Sequence, residues 1–530
     1  MLYSRSHPAQ EISTKVIRMS SSSMVPSSPD ILKKDSDSVF FELTRSICPV
    51  CRRVIDAHIL LREDKVYMRK RCPEHGPFEA LIYADAEAYV ASARFNKPGT
   101  LPLKFSTEID RGCPHDCGLC PDHQQHACLG IIEVNSACNM DCPLCFADAG
   151  AGFNLTLEEV EGILDHFVET EGQPDAIQFS GGEPTIHPEI IPMLEAATRR
   201  NIRHVMINTN GKRIATDDEF LEQLAGIDPK PAIYFQFDGF ESETYRILRG
   251  EADILDEKLR ALDRLADIGC TVVLVPAVER NVNEHELGAI VRFGIDHPAV
   301  RGITFQPAFH SGRHGQHDPM TRMTNPDIIS LIEAQTDGLF VKTDFFPVPC
   351  CFPTCNSMTY AYVEGDTVLP LPRFLNVEDY LDYVSNRLLP DIGEFSAEII
   401  QTTLEGLWSS SAVPGTKKSG REFALSCSIC GLLEDAELAE IADRVFMIAL
   451  QDFLDPWTFN QKNVMKCCKV ILLPDGKQIP FCAYNNIGYR EQARGQLAQR
   501  QRARRKAEHE GLVFDPQPLT FSFHPNGTSK

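Results

Sequence analysis

The chain has no stretch of about 18 uninterrupted apolar residues, the length that a membrane-spanning helix needs. Its first forty residues hold no continuous apolar h-region, so they read as neither a secretory signal nor a span. Positive charge is also scarce. Lys and Arg number 52 against 74 Asp and Glu, a formal net charge of −22, which argues against general nucleic-acid binding. Neither apolar nor charged residues are short overall. At 43% and 24% they fit a globular chain and exclude wholesale disorder. A cytoplasmic protein is expected.

Cysteine, by contrast, is abundant: 19 residues, arranged in clusters. Without a signal segment, clustered cysteines point to metal binding rather than disulfides. A chain of 530 residues also exceeds one ordinary core, so about two to four structural units are expected. Residues 1–37 are rich in Ser, Pro and charge and read as a disordered leader. Residues 38–105 form a zinc or rubredoxin-like unit, 106–129 an auxiliary-cluster segment and 130–312 a core barrel. Residues 313–485 read as a C-terminal cysteine-rich domain, and 486–530 as a basic helix and tail.

In the first unit, Cys48-x2-Cys51 and Cys72-x2-His75 flank a strand-like stretch, LREDKVYMRKR. Two such knuckles suit a tetrahedral zinc or mononuclear iron site. From 129 onward, short apolar runs alternate with amphipathic helical segments: 129–135, 175–180, 204–210, 232–238, 271–278 and 302–309. This rhythm predicts an α/β fold with a parallel sheet, best matched by a partial (β/α)6 barrel. In such barrels the chemistry sits at the C-terminal strand ends.

The first barrel strand ends in EVNSACNMDCPLCFADAG, which places Cys138, Cys142 and Cys145 in a C-x3-C-x2-C loop. Iron–sulfur cubanes usually take four cysteines, so a three-cysteine loop leaves one iron for an exchangeable ligand. The second strand ends in Ser180, Gly181, Gly182, Glu183 and Pro184, where two glycines permit close backbone approach to a ligand. The third ends in Asn208, Thr209 and Asn210, and the fourth in Asp238 followed by Gly239. Asn-Gly and Asp-Gly are also ordinary turn formers.

These motifs resemble the signature of the radical S-adenosylmethionine superfamily. The resemblance implies a 4Fe-4S cluster on Cys138, Cys142 and Cys145, with S-adenosylmethionine chelating the open iron. It implies cofactor contacts from Ser180, Gly181, Gly182, Glu183, Pro184, Asn208, Asn210 and Asp238. It further implies reductive cleavage of the cofactor to a 5′-deoxyadenosyl radical that takes hydrogen from unactivated carbon, and a reductant such as ferredoxin or flavodoxin. The catalytic side chains stay unassigned.

The same spacing recurs in Cys113, Cys117 and Cys120, where Cys128 is at hand to close a four-thiolate auxiliary cluster. A zinc site on the same four residues stays open. After the barrel, Cys355, Cys430, Cys468 and Cys482 are the expected ligands of a second auxiliary cluster, making three clusters in all. The order of knuckle, cysteine segment, radical core and C-terminal PDGKQIPFCAYN resembles a narrower group: the tetraether lipid synthases and their bacterial relatives, once regarded as pterin methylases. That resemblance implies carbon–carbon coupling of long aliphatic lipid chains. Radical methylation of a pterin or similar heterocycle is the alternative, and a non-catalytic electron carrier or scaffold is a third class. The run Arg490, Arg494, Arg500, Arg502, Arg504, Arg505 and Lys506 reads either as a contact for phospholipid head groups at the inner membrane face or as a solvated helix face.

Overall fold

Alternation of apolar and polar residues in KVYMRKRC buries Val66, Met68 and Lys70 on one face of a strand, as the period of two requires. That strand belongs to an antiparallel meander of β1 (Val39–Ile47), β2 (Val54–Arg62), β3 (Lys65–Cys72) and β4 (Gly76–Tyr83). The computed structural model describes residues 37–150, 152–313, 317–373, 444–514 and 519–521. The stretch read from the sequence as one strand is the β2–β3 hairpin. Glu63 and Asp64 make its two-residue turn at φ 51° and 57°, the left-handed conformation that tight hairpins favour.

The six predicted strands form as β5 (Leu129–Asn135), β6 (Ala176–Gly181), β7 (His204–Thr209), β8 (Ala232–Gln236), the pair β9 (Val272–Val275) and β10 (Ala277–Val278), and β11 (Val300–Pro307). Helices cross between them. The first, Leu157–Glu171, begins at a reciprocal capping box of Thr156 and Glu159. Phe167, Phe179 and Phe235 are wholly buried between helices and sheet, each contributing about 1.5–3 kcal/mol.

The C-terminal region adds β12 (Phe346–Pro347), β13 (Asn356–Glu364), β14 (Thr367–Pro370), β15 (Val445–Gln451), β16 (Lys469–Leu472) and β17 (Gln478–Pro480). β15 pairs in parallel with β11, and β16 in parallel with β5. The parallel run is therefore β15-β11-β9-β8-β7-β6-β5-β16, with antiparallel strands beyond each end. The boundary drawn at 312/313 does not separate two cores, because β15 and β16 extend the barrel sheet on both sides and share its core. Among the described residues, no helix is long and apolar enough to cross a membrane.

Candidate functional site

The loop after β5 carries Cys138, Cys142 and Cys145. Its start is pinned by the segment that follows β6. Gly182 N donates to Asn135 O at 3.0 Å and Glu183 N donates to Ala137 O at 2.8 Å. A Cβ at Gly182 would collide with the Ala137 and Ser136 carbonyls, and one at Gly181 with Asn135. The two glycines thus allow close packing against the root of the cysteine loop.

Glu183 sits at the centre of this junction, 2% exposed. Its Oε1 accepts from Thr185 N (3.1 Å), Thr185 Oγ1 (2.6 Å) and Thr209 Oγ1 (2.8 Å), and Oε2 accepts from Asn210 N (2.8 Å). Burial raises its carboxyl above the usual range, and the donors from Thr185, Asn210 and Thr209 oppose that shift. Asn210 Nδ2 donates to Asn139 Oδ1 at 2.7 Å, inside the cysteine loop. Pro184 opens the short turn after Glu183. Ser180 and Asn208 point elsewhere: both line the barrel cavity.

Asp238 is wholly buried. Its carboxylate accepts a fork from Arg249, Nε at 2.7 Å and Nη2 at 2.6 Å, and also Ala277 N at 3.0 Å. The carboxylate expected at the cofactor is therefore taken up by an ion pair, because Arg249 closes the helix Ser242–Arg249 directly beside it. Lys258, 2% exposed, donates to the carbonyls of Gln236 (2.7 Å) and Asn210 (3.2 Å). Burial lowers its pKa to about 8 against the pull of Asp238.

The three thiols suit a metal cluster chemically. Burial pushes Cys138 up to about 12, with the charges of Glu183, Cys142 and Cys145 adding to it. Burial also raises Cys142, opposed by Arg249. Metal coordination removes that cost by holding the thiol deprotonated. Met140 N and Ala149 N each lie 3.4 Å from a loop sulfur, Cys138 and Cys145 in turn, as donors to thiolate. Over the loop lies Arg313, whose backbone N donates to Cys145 O at 3.0 Å and whose guanidinium meets Asp148 (2.9 Å), Asp141 and Ala149 O. Gly312 precedes it because a Cβ there would strike the Cys145 and Phe146 carbonyls.

Phe146, next to Cys145, borders a cavity inside the barrel. Gln178, Asn208, Gln306, Asn356 and Gln451 line it with carboxamides, between apolar walls that include Ile131, Met358 and Phe481. Glu133, at one wall, accepts from Arg490 (2.6 Å) and Tyr484 (3.0 Å), and Arg490 stands over the rings of Tyr484 and Phe146. The basic run is thus mostly a docking face. Arg494 donates to Asp148 O, and Arg500 and Arg504 pair with Glu159. Arg502, Arg505 and Lys506 are exposed.

The sequence reading missed Arg249, Lys258, Arg313 and Glu133. The strand-end rule does point to Arg313, just past β11, and to Glu133, on β5. Nothing local marks the two helical cations.

One of the expected cysteine sets regroups. Cys128 does not close a set with Cys113, Cys117 and Cys120; its sulfur lies with those of Cys350 and Cys468, all within 4.8 Å. The register explains this. Leu129 pairs with Lys469 across β5 and β16, so the preceding residues Cys128 and Cys468 meet at the base of the two strands. Cys113, Cys117 and Cys120 line a separate pocket with Val464, Met465 and Pro480. Cys468 lies 3.6 Å from Cys350, and it also lines a pocket with Cys351, Cys355, Cys467 and Cys482. Burial raises Cys355 to about 12 and Cys467 to about 11. Cys430 lies outside the described residues.

In the meander, both knuckles occupy turns at the same end, β1–β2 and β3–β4. Cys48, Cys51, Cys72 and His75 converge there within 4.8 Å. The sulfurs of Cys51 and Cys72 are 3.9 Å apart, and His75 Nδ1 lies 3.5 Å from Cys72 and 3.7 Å from Cys48. These are the edges of a tetrahedron about one ion with bonds of about 2.0–2.3 Å.

Residues 40–84 match the profile of the HMPTM N-terminal zinc ribbon domain, and residues 132–294 match that of the radical SAM superfamily. The 7,8-dihydro-6-hydroxymethylpterin dimethyltransferase of Methanocaldococcus jannaschii is 32% identical over 482 residues, 84% of this chain and 94% of that protein. A GTP 3′,8-cyclase of Haemophilus influenzae is 28% identical over 174 residues, 32% of this chain and 50% of its own length. The solved structure of Streptococcus suis SuiB bound to precursor peptide SuiA covers 41% of this chain and 47% of its own at 17% identity, with a TM-score of 0.35. With the near full-length match to the first of these and the superfamily profile lying over the cysteine loop and its barrel, the chain belongs to the radical S-adenosylmethionine superfamily.

Proposed function

We propose that this enzyme methylates a polar heterocycle of the pterin class inside the barrel. The observation that carries the proposal is the cavity lining, in which the carboxamides of Gln178, Asn208, Gln306, Asn356 and Gln451 stand among apolar side chains. A flat heterocycle has the matching surface, with donors and acceptors at its rim and apolar faces. An alkyl chain in the same place would offer no hydrogen-bond partner to Gln178, Asn208 or Gln306, at about 1–3 kcal/mol for each carboxamide it closed off from water. Carbon–carbon coupling of lipid tails therefore has less support here. The name of the relative from Methanocaldococcus jannaschii points to the pterin reading as well.

In this reading Cys138, Cys142 and Cys145 hold the radical cluster, and the ends of β6 and β7 position S-adenosylmethionine, with Ser180 and Asn208 facing the substrate side. When bound, cluster and cofactor supply a carbon-centred radical and a methyl group. The chain's own part is to orient, to exclude water and to hold charge. Cys48, Cys51, Cys72 and His75 hold zinc as a structural ion. Cys113, Cys117 and Cys120 hold one auxiliary cluster; the Cys128–Cys350–Cys468 and Cys355–Cys467–Cys482 groups supply the thiolates of another. A low-potential donor such as ferredoxin or flavodoxin delivers the electrons.

The test is turnover of a reduced hydroxymethylpterin with S-adenosylmethionine deuterated at its methyl group, under dithionite and without oxygen. A product heavier by whole trideuteromethyl groups supports the proposal. An unlabelled pterin together with a dehydrogenated, coupled lipid in a parallel incubation would overturn it.

A further inference from the structure

We propose that the buried Asp238–Arg249 pair sets the reduction potential of the cluster on the three-cysteine loop, with Arg249 acting on Cys142. The inference rests on the reading of Cys142 as a cluster ligand. Arg249 ends a helix whose C-terminus packs on the loop. Leu144 N donates to Leu248 O at 3.3 Å, and the turn at Gly250 approaches the Asp141 carbonyl and Pro143. This contact sets the helix end that carries Arg249 against Asp141, Pro143 and Leu144, the residues that flank Cys142, while Asp238 holds the guanidinium by its Nε/Nη2 edge at 2.7 and 2.6 Å. Both side chains lie below 10% exposure, so water screens them little. The bidentate fork fixes the guanidinium in one orientation, which a lysine in its place would lose in part.

The electrostatics then have a definite sign. One electron from the external donor enters the cluster, so a positive charge at Cys142 favours the reduced form and a negative charge disfavours it. Arg249 is the positive member of the pair and Asp238 the negative one. Removing Arg249 withdraws the favourable charge and leaves Asp238 uncompensated. Removing the charge of Asp238 leaves Arg249 unopposed. The two substitutions therefore act in opposite directions, which loosened packing alone would not do. Arg249 and Asp238 are positioning residues in this account.

The experiment is an anaerobic redox titration of the reconstituted holoenzyme followed by electron paramagnetic resonance, comparing native protein with Arg249→Met, Arg249→Lys and Asp238→Asn. Arg249→Met is expected to make reduction of this cluster at least tenfold less favourable, about 59 mV for one electron. Asp238→Asn is expected to shift it the other way, and Arg249→Lys to stay between native and Arg249→Met. The auxiliary clusters serve as internal references and keep their potentials. Shifts of the same sign in Arg249→Met and Asp238→Asn, or shifts under twofold, would overturn the inference. If Arg249→Met fails to fold, the opposed signs of Arg249→Lys and Asp238→Asn carry the same test. Failure of the ligand assignment looks different. In that case Cys142→Ala leaves every cluster signal of the native protein unchanged.

Discussion

Two loops in this chain have the same C-x3-C-x2-C spacing and opposite surroundings. Cys138–Cys145 follows a barrel strand, is pinned by Gly181, Gly182 and Glu183, and has Phe146 at the edge of the barrel cavity. Cys113–Cys120 precedes the same strand and faces a small pocket closed by Val464, Met465 and Pro480. It is held instead by Tyr489, whose hydroxyl receives Cys117 N at 3.2 Å and donates toward His115 O at 2.6 Å. The difference teaches that spacing announces a metal site, while the strand end and the neighbouring motif decide what the metal can reach.

Substitutions at the two supports separate the loops. Glu183→Gln replaces one carboxylate oxygen with an NH2 donor amid the four donors that the carboxylate accepts from, and is expected to cost about 1–3 kcal/mol of stability and to lower iron at the first loop only. Iron analysis with paramagnetic resonance of each cluster reads this directly; equal loss from both loops would break the comparison. Tyr489→Phe should do the reverse, costing about 0.5–1.5 kcal/mol and loosening the Cys113–Cys120 loop while cofactor cleavage persists. Denaturant unfolding with cluster-resolved spectra checks it.

The smallest effect is a pH dependence confined to the first loop's side of the barrel. Burial holds native Lys258 near a pKa of about 8, against 10.5 for an ordinary lysine. Between those values the unfolded chain carries the extra proton, so stability gains from this group as pH rises. Native protein should gain about 0.4 kcal/mol on Lys258→Met between about pH 8 and 8.5, measured by denaturant unfolding at each pH. A flat difference would show that Lys258 stays charged in the fold.

Much of this was legible in the sequence because it is local. The strand–helix rhythm, the cysteine loop at the end of β5 and the paired knuckles of the zinc ribbon depend on residues a few positions apart. What the sequence hid depends on register and long-range pairing. Cys128 meets Cys468 only because β16, some 340 residues later, pairs with β5. Arg490 belongs to a run that reads as solvated surface, yet it is buried against Glu133 once the final helix docks.

Of the two loops with this spacing, radical chemistry is expected at the one after β5. The most direct measurement is 5′-deoxyadenosine formation from S-adenosylmethionine and dithionite in native protein and in two variants, Cys138/Cys142/Cys145→Ala and Cys113/Cys117/Cys120→Ala. The account predicts that the first variant loses cleavage completely and the second retains it. Cleavage that survives in the first variant and disappears in the second would contradict it.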